Sequence, residues 1–178
     1  MQAIHTLIVA GVAITLVAAC STTQQEGWAV DGIADGSRLV VEEPIRISSY
    51  SGHAHVQQGR EVDPRAINRF EPHCRIRLRG AGSDVEAIEP DTFEVGGYRT
   101  RREVTSLEPD GQLRVASSLR GGSFVSYVRH HTRVTLYSPD QPAVHEMVCS
   151  YDRSRRAPHL QFDQIRDTLA GIATLERP

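Results

Sequence analysis

The stretch Cys74-Arg75-Ile76-Arg77-Leu78-Arg79 decides the fold. Apolar and charged side chains alternate with a period of two, the spacing of a half-buried β-strand. Cys74, Ile76 and Leu78 share one face, and Arg75, Arg77 and Arg79 share the other. A second run, His145-Glu146-Met147-Val148-Cys149-Ser150-Tyr151, places Cys149 on a face with Met147 and Tyr151. Both sulfurs therefore point with apolar neighbours toward a core.

The same pattern extends along the chain. Short alternating runs cover 38–42, 45–47, 53–57, 74–79, 85–88, 93–95, 98–105, 112–119, 124–131, 133–137 and 144–151. Turn residues separate them at Gly80–Asp84, Gly96-Gly97, Glu108–Gly111, Gly121-Gly122 and Ser138–Asp140. Within Pro109-Asp110-Gly111 the proline presets φ and the glycine admits a positive φ, which is a hairpin signal. Evenly spaced short strands with such turns predict a mainly β domain, an antiparallel sandwich or a barrel-like sheet. Two segments read as helical. Asp63-Pro64 offers an N-cap and a first-turn proline for a short helix near 63–70. Phe162, Ile165, Leu169 and Ile172 recur at helical spacing, predicting a C-terminal amphipathic helix laid on the sheet edge.

Composition bounds the function. The 178 residues carry 20 basic and 22 acidic groups, so a polybasic nucleic-acid binder is not expected. Every basic residue is arginine. Chemistry that needs lysine, such as a P-loop, a Schiff base or a Ser/Lys dyad, is excluded.

The N-terminus reads as an address. Met1–Ala19 has no Asp, Glu, Lys or Arg and contains the apolar run 7–19. Thirteen residues are short of the roughly 20 needed to span a bilayer and suit a signal-peptide core. The run ends in Val17-Ala18-Ala19-Cys20, which resembles the lipobox of bacterial lipoproteins. That resemblance implies cleavage before Cys20, lipid on its sulfur and an acylated amino terminus. The expected organisation is a signal peptide over 1–19, a polar tether over 20–27 and one β-rich periplasmic domain over 28–178. Several acyl chains give stable attachment. Ser21, standing where an aspartate would signal retention at the inner membrane, points to the periplasmic face of the outer membrane. With Cys20 acylated, Cys74 and Cys149 form an even pair in an oxidising compartment, and a disulfide is expected. A redox or metal-ligand pair is the alternative, without a CxxC arrangement to support it.

Few constellations carry chemistry. His53 and His55 alternate on one strand face at a spacing that could hold one transition metal. Ala54 and Val56 form the apolar face, so both histidines are expected in solvent with no third ligand fixed; no metal is expected, and a site at His53 and His55 stands as the alternative. His130 and His131 point to opposite faces and cannot chelate together. No GxSxG, SxxK or HExxH pattern is present, so an envelope hydrolase is kept only as a further alternative. The stripe Arg75, Arg77 and Arg79 is a candidate anion site for lipopolysaccharide phosphates or peptidoglycan carboxylates. Its competing reading is cross-strand pairing with acids such as Glu86 or Glu94 on a solvated face.

Three segments, Pro44–Ile47, His53–Gly59 and Phe70–Ile76, together resemble a set of small proteobacterial lipoproteins of unknown function. The pattern is an aliphatic strand, then Ala54-x-Val56-Gln57-x-Gly59, then Phe70-x-Pro72-x-Cys74. Ile88–Phe93 and the stretch from His159 to Ile172 resemble later parts of that pattern. The resemblance implies a lipid-anchored, disulfide-bearing β domain and brings no catalytic residues. The expectation from sequence is a non-enzymatic binding or scaffolding protein of the envelope, without a cofactor. Its partners would be the membrane through its lipid, and other envelope proteins or lipopolysaccharide, with no nucleic acid.

Overall fold

The computed structural model describes residues 33–80, 85–107, 113–114 and 125–178. The leader over 1–19, Cys20 and the tether over 20–27 lie outside the described residues, as do the turns at 81–84, 108–112 and 121–122 and most of 112–119.

The elements run β1 (Arg38–Val41), β2 (Ile45–Arg46), β3 (His53–Gln57), β4 (Arg60–Glu61), β5 (His73–Leu78), β6 (Ala87–Ile88), β7 (Asp91–Leu107), β8 (Leu113–Arg114), β9 (Val125–Tyr137), β10 (Val144–Arg153), α1 (Phe162–Leu169) and β11 (Ala173–Glu176). Nine strands form one antiparallel sheet in the order β11-β1-β7-β9-β10-β5-β3-β4, with β8 paired to β7. β2 and β6 form a small separate pair. The large sheet curls into a half-barrel around the core, and the domain is mainly β as expected.

The concave face holds Leu39, Phe93, Ala54, Val56, Cys74, Ile76, Val134, Met147 and Cys149, all buried. α1 closes the open side. Its capping box at Gln161 and Gln164 starts the helix, and Phe162, Ile165, Thr168 and Leu169 turn inward. It packs against β11 at one margin of the sheet and against β3 and β5 near the other. Burying its three large apolar side chains contributes about 2 kcal/mol each. At the helix end the Gly59 N–H donates to the Thr168 carbonyl at 2.9 Å, joining the two margins.

Three expectations are corrected. First, residues 63–70 form turns, not a helix. The Asp63 carboxylate accepts the Arg65 N–H at 2.7 Å, and the Asn68 carboxamide oxygen accepts the Phe70 N–H at 3.1 Å. Gln57 takes both backbone groups of Asn68, accepting from its N–H at 3.0 Å and donating to its carbonyl at 2.8 Å. Side chains thus capture the groups that a helix would need. Second, Gly96-Gly97 is not a turn. It is an irregularity inside β7, where the register to β9 shifts between Val95 and Tyr98. Third, Ile172 lies beyond α1, because the chain leaves the helix at Ala170, turns through Gly171 and returns as β11. The runs 124–131 and 133–137 are one strand, β9.

The expected disulfide is present. Cys74 and Cys149 are directly opposed on β5 and β10, their Cα atoms 4.0 Å apart and both side chains fully buried.

Candidate functional site: the arginine face

Strand register fixes which residues meet on the convex face. Across β5, β10, β9 and β7, one row reads Arg77, Glu146, Thr135. The next reads Arg75, Val148, Arg133, Arg99, with His55 of β3 beside Arg75. Then come His73, Ser150, His131, Arg101, and finally Asp152, Arg129, Glu103. Acids occupy the outer rows. The two central rows carry four arginines, three histidines and no acid.

The acids of the outer rows are paired, in part with cations of the central rows. Glu146 lies between Arg77 at 2.7 Å and Arg133 at 3.3 Å. Asp152, 1% exposed, accepts two hydrogen bonds from Arg129, at 2.8 and 3.1 Å, and lies 3.7 Å from Arg69. The bidentate bond to Asp152 raises the Arg129 pKa against the opposing effect of burial. Cross-strand pairing with an acid holds for Arg77 of the stripe, and its partner is Glu146 rather than Glu86 or Glu94.

Arg75 differs from these neighbours. It is half-buried and makes no ion pair or hydrogen bond with the described residues. Burial and then the charges of Arg77 and Arg133 lower its pKa, with Glu146 giving only partial relief. Val148 lies between Arg75 and Arg133, only 1% exposed yet separate from the core cluster. Arg79 does not join the band. It is exposed one residue beyond β5, its N–H bonded to the Ala143 carbonyl at 2.7 Å.

The histidines fall into two groups. On the convex face His55 is 8% exposed, which corrects the expectation that it projects into solvent. The Ser48–Gly52 turn covers it, with Ser51 Oγ 2.8 Å from its Nε2. Burial first, and then His53 and Arg75, lower its pKa to about 4. The His53 and His55 ring centres are 6.4 Å apart. Among the described residues no group of three or more His, Cys, Asp or Glu is arranged to hold a metal. His131 bonds Ser150 Oγ at 2.8 Å and lies 3.4 Å from Glu103. On the concave side His130 stacks against His159 at 5.2 Å and Tyr151 at 5.4 Å. The His159 pKa falls to about 4 through burial and then Arg102.

A cleft of about 1020 Å³ adjoins the arginine face between the β2–β6 pair and the β3–β5 end of the sheet. Ser48, Ser51, His53 and Arg77 line it, and the Nδ1 of His53 and the Nε of Arg77 are buried without hydrogen-bond partners among the described residues.

Sequence reasoning found Arg75 and Arg77 but missed Arg99, Arg101, Arg129, Arg133 and Val148. The alternation Arg129, His131, Arg133 was available as a signal; the pairing of β9 with β10 was not. These features define a curled antiparallel sheet with an arginine-rich convex face. The chain matches no protein-family model, no curated protein and no solved structure.

Proposed function

We propose that this chain is a non-enzymatic binding protein of the bacterial envelope, held at the periplasmic face of the outer membrane by lipid on Cys20, and that it binds anionic envelope material through its arginine face. The observation that carries the binding role is Arg75, a half-buried cation flanked by further arginines and lacking a carboxylate partner among the described residues. A folded protein retains such a charge at a cost, because desolvation and like-charge repulsion both oppose it. An anionic partner removes both costs. The lipobox-like run Val17–Cys20 supports the anchor, and the acid-free central rows support an anionic rather than a cationic partner.

Surface plasmon resonance with the full chain in neutral detergent, over immobilised lipopolysaccharide and over immobilised peptidoglycan, tests this reading. Binding to at least one surface, weakening as salt rises and lost in Arg75→Gln/Arg133→Gln, is expected. Absence of salt-dependent binding to both would refute it.

A further inference from the structure

We propose that the two central rows of the convex face form a site for a single phosphate group, seated over Val148 between Arg75 and Arg133. The inference rests on reading this face as a binding surface and adds the chemistry of its ligand.

The face repeats one arrangement. At Glu146 an anion lies between arginines of β5 and β9. At Asp152 an anion lies between Arg129 and Arg69. The outward positions of β10 run Glu146, Val148, Ser150, Asp152, so acids stand at both ends of the series and none in the middle. Arg75 and Arg133 flank Val148 in the ladder, and Arg133 also reaches diagonally to Glu146 at 3.3 Å. At about 4.8 Å between strands, their backbones lie roughly 10 Å apart, with the buried Val148 between them. An anion held above this strand by the two guanidinium groups is reached from both sides.

A phosphate suits this position better than a carboxylate. It offers up to two charges and three oxygens, enough to accept from arginines on two different strands at once. The neighbouring cleft, lined by Ser48, Ser51, His53 and Arg77, suits a hydroxylated group attached to that phosphate.

Titration calorimetry on the full chain in neutral detergent tests the site with inorganic phosphate, with dihexanoyl phosphatidic acid and with citrate. The expected result is saturable binding of a phosphate probe, weakened about tenfold or more in Arg75→Gln and in Arg133→Gln, and unchanged in Arg79→Gln. Val148→Glu supplies an internal carboxylate to the same arginines and is expected to abolish phosphate binding while leaving the melting temperature at or above wild type. Binding of both phosphate probes assigns a free phosphate site. Binding of phosphatidic acid alone assigns a lipid headgroup. Equal affinity in the folded Arg75→Gln and Arg79→Gln variants would overturn the proposal. Binding of citrate but of neither phosphate probe would overturn it too, while leaving the anion-binding face intact. Binding of no anion at all would overturn both readings.

Discussion

Gly59 lies so close to Ala170 that a β-carbon built on it would stand 1.9 Å from the Ala170 carbonyl oxygen. Gly59 also holds φ at +69°, in the left-handed region that favours glycine. Here the turn after β3 meets the end of α1, so two distant segments share one tight backbone contact.

Gly59→Ala is therefore expected to destabilise the domain by about 2–4 kcal/mol, because the obstructing atom is backbone and cannot swing aside. Urea unfolding checks this. A midpoint equal to wild type would show that the α1 end is free to move away.

The Cys74–Cys149 bridge closes a loop of 75 residues. In the chain-entropy account such a loop contributes about 4 kcal/mol. The Cys74→Ala/Cys149→Ala double variant should unfold at correspondingly lower denaturant. Non-reducing peptide mapping of protein purified from periplasm should yield one linked peptide. Two alkylated free thiols would contradict the pairing.

Stability should fall as the medium is acidified. His55 and His159 titrate at about 4 in the fold against 6.5 in the unfolded chain, and His53, His73, His130 and His131 are also lowered. The fold favours the neutral rings, so the unfolded chain binds more protons below pH 6.5. Stability is then full above pH 6.5 and declines toward pH 4. Melting temperatures across that range measure the decline, and His159→Gln should flatten it. A melting temperature constant from pH 7 to 4.5 would contradict the burial of these rings.

Cys20→Ala is expected to yield unlipidated precursor, with the wild-type chain beginning at acylated Cys20. Mass spectrometry of the mature amino terminus reads this directly. Any other first residue removes the anchor from the proposed function.

Protein purified without an affinity tag is expected to hold no stoichiometric metal, because Ser51 already engages His55 and no described residue fixes a third ligand beside His53. Elemental analysis on wild type and His53→Ala/His55→Ala decides it. One equivalent of copper or zinc, lost in the double variant, would move the functional reading to metal binding.

The residues of the Ala54-x-Val56-Gln57-x-Gly59 pattern show how much was legible. Its alternation announced a strand, and β3 spans His53–Gln57. The helical spacing of Phe162, Ile165 and Leu169 announced α1, and the apolar setting of both cysteines announced their burial. Side-chain period is a local property, so a strand or a short helix is written in consecutive residues. The sequence by itself thus determined the mainly β character, the inward face of β3, β5 and β10, and the disulfide partners.

Tertiary structure decided the rest. Gln57 claims the backbone of Asn68 and so turns a segment with helix-start signals into loop. The pairing of β5 with β10 and β10 with β9 brings Arg75 and Arg133, 58 positions apart in the chain, to either side of Val148. Alternation assigns each arginine to a face; it carries no information about which strand lies beside it. Register between distant strands is set by the collective burial of one face, and the acid-free arginine band exists only once that register is formed.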